Sequence, residues 1–140
     1  MCKASSFIIC ENVQTQIEKT EKNGIIQKPQ IINPIDTISM FSFPGYFTFA
    51  IFGNLIDIDE NCANDTIHIE IINPDNKVEF ESQKLPIPSF TSLNSSLKFS
   101  YDIRNFTFNK EGLYKVKLFL NEKELSEAQF TVEGRGDKCH

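Results

Sequence analysis

The sequence has no tryptophan, only two histidines and only six glycines among its 140 residues. Acid–base and nucleophilic catalysis needs a nucleophile, a base and an orienting group, and histidine is the commonest base. His68 alternates with isoleucines, which predicts a position on the solvated face of a strand, and His140 falls in a polar C-terminal segment. The glycines are too scattered to form a phosphate-binding loop. We therefore predict a protein that is not an enzyme, with no catalytic residue.

The chain is also poor in positive charge and lacks long hydrophobic runs. Fourteen basic residues against nineteen acidic ones give a formal net charge of −5 and a pI near 5.0, with no cluster of lysines. This excludes non-specific binding to nucleic acid or to anionic membranes. No apolar segment is long enough for a signal peptide or a membrane span. We expect a cytoplasmic protein whose four cysteines, which lack a disulfide framework spacing, are free thiols.

Candidate metal ligands are present but poorly spaced. Residues 57–65 are rich in oxygen ligands, yet Cys62 stands where an EF-hand needs glycine and His68 where it needs glutamate. An irregular calcium loop remains the alternative to a solvated acidic loop. Zinc would need paired ligands, and Cys62, His68, Cys139 and His140 do not supply that spacing. We predict no metal ligand and no cofactor.

Alternating side chains predict β-strands along most of the chain. One face of a C-terminal segment is apolar while Lys115 and Lys117 lie on the other; the apolar members are Tyr114, Val116, Leu118 and Leu120. Residues 121–124 form a polar break of hairpin length before a second alternating segment. The best helical candidate is short, residues 13–22. Strands separated by turn signals in this way are typical of a β-sandwich or a β-barrel.

Three segments also carry a resemblance to a known family. They are Ser6-Phe7-Ile8-Ile9-Cys10-Glu11-Asn12-Val13, residues 28–38 followed by Phe43-Pro44, and Gly112-Leu113-Tyr114 with the hairpin ending at Phe130-Thr131-Val132. Together they resemble the DUF6941 family of small bacterial proteins of unknown function. Residues 15–26 look like an insertion between the first two strands of that pattern. The resemblance implies a β-sandwich in a bacterial cytoplasm and carries over no catalytic residue.

Pattern and resemblance together predict the architecture. We expect a single antiparallel β-sandwich of the immunoglobulin-like type, with about seven to nine strands and little helix. The domain should cover residues 1–132, and residues 133–140 should form a flexible tail.

The remaining indication of function comes from aromatic residues that the predicted core does not accommodate. Period two places Phe119 on the outer face of its strand, and Phe47, Phe49 and Phe52 lie on a strand that is apolar on both faces. Exposed aromatic clusters mark protein interfaces, although a covering loop such as residues 86–90 would also account for them. We expect a non-catalytic interaction module that binds a protein partner or itself as a homo-oligomer. The alternative is a sandwich that binds a small ligand, such as a sugar or nucleotide.

Overall fold

Regular secondary structure is entirely β in the computed structural model, which describes residues 2–20, 24–58, 65–87 and 95–134. The ten strands of these residues are β1 (Lys3–Thr20), β2 (Gly24–Pro34), β3 (Thr37–Met40), β4 (Gly45–Ile58), β5 (Thr66–Ile72), β6 (Val78–Glu81), β7 (Leu85–Pro86), β8 (Ser95–Phe108), β9 (Gly112–Leu120) and β10 (Lys123–Gly134). The all-β prediction is confirmed.

The strands form two sheets that share one hydrophobic core. The four-stranded sheet has the order β2-β1-β4-β8, and the six-stranded sheet has the order β3-β10-β9-β5-β6 with β7 also paired with β5. Inward side chains of both sheets meet in a single cluster; it contains Ile9, Phe49, Ile51 and Leu55 from the first sheet and Ile69, Val116, Leu118 and Phe130 from the second. Two sheets that bury their inner faces against each other form the sandwich architecture.

Aromatic rings join the two sheets at the centre of this core. The rings of Phe49 on β4 and Phe130 on β10 are 5.8 Å apart, and Tyr114 packs against Phe130 at 5.5 Å. The Tyr114 hydroxyl donates a hydrogen bond of 2.9 Å to the Lys110 carbonyl oxygen, four residues upstream. Such a tyrosine corner is a hallmark of immunoglobulin-like sandwiches.

The predicted helix at residues 13–22 is wrong. Residues 13–20 belong to β1 and pair with β2 in register from Val13 opposite Ile31 to Thr20 opposite Gly24, while residues 21 and 22 lie outside the described ranges. The backbone hydrogen bonds of this long ribbon override a weak local helix preference. The segment expected to be an insertion, residues 15–26, is the far end of the same ribbon, apart from residues 21–23, which are not described.

The strand count and the purely antiparallel pairing also need correction. The ten described strands exceed the prediction because β3, with four residues, and β7, with two, are too short for period two to show. Strand β3 pairs with β10 in parallel, Thr37 opposite Thr131. The chain reaches this position by leaving β2 and joining the other sheet, where the Asp36 carbonyl oxygen accepts the Thr131 N–H at 2.9 Å.

The C-terminal boundary is later than the predicted residue 132. Strand β10 continues to Gly134, which lies opposite Met40 on β3, so the first two residues assigned to the tail belong to the sheet. Residues 135–140 lie outside the described ranges. Within those ranges, no helix has the length and apolar character needed to cross a membrane.

Candidate functional site

Phe119 lies on the outer face of the six-stranded sheet, as its place in the alternation predicts. Its ring is half-buried and stacks on the ring of His68, with 5.0 Å between the centroids. Part of its burial is therefore supplied by the neighbouring strand of the same chain.

The aromatic residues of β4 do not form the exposed patch that the sequence suggested. Phe49 is 1% exposed and belongs to the core, Phe52 is 6% exposed, and Phe47 is half-buried against the core. Strand β4 lies between β1 and β8, and the folded chain covers these rings. Only Tyr46 among the aromatic residues of this strand is largely exposed, at 66%. The interface prediction is therefore corrected for Phe49 and Phe52, whose rings are almost entirely buried within the chain.

Strand β8 is the longest open edge of the sandwich. It has 14 residues, contains no proline and ends the four-stranded sheet, without a second neighbour among the residues described. The opposite edge, β2, carries Pro29 and Pro34, and the edges of the other sheet are strands of four residues or fewer. Proline and short length are the usual protections of edge strands against pairing with other chains. Strand β8 has neither protection.

One hydrogen bond elsewhere in the sheet shows which backbone groups of β8 face outward. The Ile35 N–H donates to the Ile9 carbonyl oxygen at 2.7 Å, so Ile9 directs its backbone groups toward β2 and away from β4. Ile51 lies opposite Ile9 and therefore directs its own groups to Tyr101 on β8. Because successive residues of a strand alternate in direction, Ser100 directs its N–H and C=O away from β4. Ser100 is thus available to pair with another strand.

A bulge interrupts β8 after this segment. The register between β4 and β8 shifts beside Thr48, where β8 carries one extra residue. Asn105 adopts a positive φ of 52° there, and its N–H donates to the Thr48 hydroxyl oxygen at 3.0 Å. Asparagine tolerates this conformation better than most residues. Bulges of this kind redirect side chains and are common beside functional sites.

Two open grooves border the bulge, and Asp102 and Arg104 line both of them. The larger, of about 680 Å³, also includes Glu11 and Phe47, and the smaller, of about 400 Å³, includes Glu79 on β6. Asp102 and Arg104 could not be predicted from the sequence, because the bulge that brings them to both grooves leaves no signal in the alternation pattern.

The Cys10 thiol is not an activated nucleophile. Cys10 is fully buried, and its Sγ donates to the Asn12 carbonyl oxygen at 3.4 Å. Burial raises the pKa of the Cys10 thiol, and the charge of Asp102 raises it further. A reactive cysteine needs the opposite shift, toward the thiolate.

The prediction that His68 lies on a solvated face is wrong. It is 5% exposed instead of solvated, because Phe119 covers its ring and acidic side chains of β5 and β6 lie beside it. Its Nε2 approaches the carboxylates of Glu70 and Glu81. The spacing of His68 and Glu70 could have suggested a shared face, but Glu81 joins them only through the pairing of β5 with β6.

The predicted acidic loop is only partly described. Asp57 forms an ion pair of 3.4 Å with Lys3, and the Asp65 carboxylate accepts a hydrogen bond from the Asn121 side chain at 3.0 Å. Both carboxylates thus have partners within the fold. Residues 59–64, including Cys62, lie outside the described ranges, as do Cys139 and His140.

Comparison with solved structures finds several chains with distant similarity to this one. An alkylpurine DNA glycosylase from Pseudomonas fluorescens is 10% identical, with 91% of this chain and 30% of that chain covered and a TM-score of 0.48. A β-glucosidase from Listeria innocua is 7% identical, with 92% and 16% covered and a TM-score of 0.47. An immunoglobulin-like protein from Pseudomonas aeruginosa is 14% identical, with 91% and 97% covered and a TM-score of 0.42.

The chain thus spans about 30% of the glycosylase and 16% of the glucosidase. No curated protein sequence matches it. A family model does match, over residues 5–133, which is nearly the whole chain. The protein belongs to the DUF6941 family, a family of unknown function.

Proposed function

We propose that this protein is a non-catalytic interaction module of the bacterial cytoplasm that binds a protein chain, either a partner or a second copy, by adding a strand to β8. The bound segment would be extended and would pair with the outward N–H and C=O groups of β8. Main-chain hydrogen bonds give affinity in this mode of recognition, and side chains at alternate positions give specificity. Nucleic acid and membrane are not part of the proposal, given the net charge of −5.

The open edge of β8 carries the proposal. It is long, free of proline and has outward backbone groups at Ser100. The half-buried rings of Phe99 and Tyr101 alternate with exposed Lys98 and Ser100 along the same edge. An added strand would therefore meet aromatic side chains on the inner side and polar ones on the outer side. Buried Cys10 is a free thiol, which is compatible with a reducing compartment.

A proline at Ser100 tests the proposal directly. The Ser100 N–H points away from β4, so Ser100→Pro removes an outward donor and leaves the β4–β8 ladder intact. Ser100→Ala is the matched control, since it changes the side chain and keeps the N–H. Circular dichroism and melting temperature should show that both variants fold like the parent.

Two measurements then identify the bound chain. Light scattering after size exclusion reports self-association, and cross-linking in extracts of the source cells compares what the parent and the two variants capture. Ser100→Pro should lose the associated species and Ser100→Ala should keep it. If the folded Ser100→Pro variant associates and captures like the parent, β8 is not the interface and the proposal is wrong.

A second candidate function is binding of a small polar ligand in the larger groove. The groove of about 680 Å³ has the volume of a ligand site, and Phe47, Glu11 and Arg104 line it together with Asp102. Two carboxylates against one guanidinium disfavour the phosphates of a nucleotide. Hydroxyl groups of a sugar suit carboxylate acceptors and an aromatic ring better, so a sugar is the ligand class we propose here.

Ligand-detected NMR with a panel of mono- and oligosaccharides tests this candidate. Arg104→Ala should abolish any saturation transfer that the parent gives. Lys98→Ala removes the same charge from the same strand outside the groove and should leave the transfer unchanged. No transfer with the parent, or equal transfer with both variants, would eliminate the sugar-binding candidate.

A further inference from the structure

We propose that His68, Glu70 and Glu81 bind a divalent transition metal ion, with Zn²⁺ as the ion that this donor set fits. The cluster lies on the outer face of the six-stranded sheet, whereas β8 belongs to the other sheet. The metal site and the proposed protein interface can therefore be tested independently. Imidazole nitrogen and carboxylate oxygen are both common zinc ligands.

Strand geometry assembles the three residues. His68 and Glu70 are two apart on β5, so their side chains leave the same face of the sheet. Glu81 on β6 lies directly opposite Glu70 in the antiparallel pair. Two carboxylates in that relation repel each other, which makes the pair unfavourable without a cation between them.

The distances fit ligands of one ion better than they fit hydrogen bonds. Nε2 of His68 lies 3.6 Å from the Glu70 Oε2 and 3.7 Å from the Glu81 Oε1. N–H···O hydrogen bonds fall at about 2.7–3.2 Å. Two ligands held about 2.1 Å from a tetrahedral zinc ion are about 3.4 Å apart. One donor atom from each of the three residues lies within 4.8 Å of the others, so small side-chain rotations would close the site.

The state of His68 is the second observation that favours an ion. The residue is 5% exposed, its Nδ1 has no hydrogen-bond partner among the described residues, and its Nε2 lies 3.6 Å and 3.7 Å from the two carboxylates, beyond hydrogen-bond distance. Burying an imidazole without a close partner is unfavourable, and coordination through Nε2 would give the ring one strong partner. The ring of Phe119, 9° from parallel, fixes the plane of the imidazole with Nε2 directed at the carboxylates.

The lysine opposite Glu70 does not occupy the position of the ion. Lys117 lies opposite Glu70 on β9, but its Nζ makes an ion pair of 3.0 Å with Glu124. Hydrogen bonding to Glu124 raises the pKa of Lys117, so this ammonium group remains charged beside the cluster. That charge and the unpartnered Nδ1 of His68 both weaken metal binding. We therefore expect moderate affinity, with water at the fourth position.

Glu81 is the position at which to test the site. Its side chain is 55% exposed, so Glu81→Gln keeps the shape and removes the charge with little effect on folding. Glu79→Gln makes the same change two residues away on β6, at a carboxylate that accepts a hydrogen bond from Asn73 and is outside the cluster. His68→Ala is a weaker test because the residue is buried and its loss alone could unfold the chain.

The experiment is calorimetric titration of the full chain with ZnCl₂, together with melting temperatures in its presence. The parent and Glu79→Gln should bind one equivalent and melt at a higher temperature with zinc. Glu81→Gln should bind at least about tenfold more weakly, since even outer partners of zinc ligands cost this much. Glu70→Gln should behave like Glu81→Gln.

Cobalt absorption separates this site from one built on cysteine. Co²⁺ bound by imidazole and carboxylate gives weak visible bands, whereas thiolate ligands add an intense near-ultraviolet band. The cluster predicts the weak bands alone, lost in Glu81→Gln. The proposal is overturned by an absence of binding, by equal binding in Glu81→Gln and Glu79→Gln, or by a thiolate band. The last two outcomes would assign the metal to other residues and leave His68 beside the two glutamates without an ion.

Discussion

The ring of Phe119 lies almost parallel to that of His68, with 9° between their planes and 5.0 Å between their centroids. The two residues are direct cross-strand neighbours on β9 and β5. Because Phe119 lies on the face opposite the core, its burial needs a contact outside the core, and His68 supplies part of that contact. Each of these residues thus accounts for part of the burial of the other.

Removal of the Phe119 ring should destabilise the chain itself. We expect Phe119→Ala to lower the free energy of unfolding by roughly 1–3 kcal/mol, less than at a fully buried phenylalanine because the ring is half-exposed. Urea denaturation measures this, with Lys115→Ala on the same face of β9 as the control. A Phe119→Asp variant that stays as stable as the parent but no longer associates would instead identify Phe119 as an intermolecular contact.

Leu118 should be far more sensitive than Leu113 on the same strand. Leu118 is 0% exposed and Leu113 is 43% exposed. Leu118→Ala should cost roughly 2–5 kcal/mol, the range for buried leucines, and Leu113→Ala less than about 1 kcal/mol. Similar denaturation midpoints for the two variants would contradict the assignment of the faces of β9.

Alkaline pH should weaken the fold through Tyr114. Burial raises the pKa of this phenol above its ordinary value of 10.0, and the charge of Glu79 adds to the effect. Because the unfolded chain releases the proton first, the stability from Tyr114 is complete below pH 10.0 and is lost as the pH rises toward the folded-state pKa. Urea midpoints at increasing pH should fall less steeply for Tyr114→Phe than for the parent. Equal slopes would refute the role of Tyr114.

Thiol reactivity tests the expected absence of disulfides. Denatured, unreduced protein should titrate four free thiols, one for each cysteine in the sequence. In the native protein, Cys10 should react slowly, because it is 0% exposed and burial raises the pKa of its thiol. Cys10→Ala should lower the denatured count by one and leave the fast native count unchanged. Fewer than four thiols in the denatured parent would reveal a disulfide.

Local alternation was enough to predict the all-β class and the core-facing residues of several strands. Tyr114, Val116 and Leu118, which the alternation places on one apolar face, are buried in the core, and Leu120 packs against it. Successive side chains of a strand point to opposite faces, so the face of each residue can be predicted without knowing which strands are its neighbours. The turn at Gly112, whose φ is +139°, likewise depends on the nearby sequence and not on distant strands.

Pairing between distant strands decided what sequence alone left open. Residues 13–20 form a strand because they pair with β2. Strand β3 takes its parallel position by pairing with β10. The cluster of His68, Glu70 and Glu81 exists because β5 and β6 pair in one particular register, and a shift of one residue would turn Glu81 to the other face. Likewise, β8 is an edge only because no described strand follows it in the sheet. The face on which a side chain lies is a property of its own strand. Neighbouring strands and open edges are properties of the assembled sheet, and the candidate sites depend on these neighbours and edges.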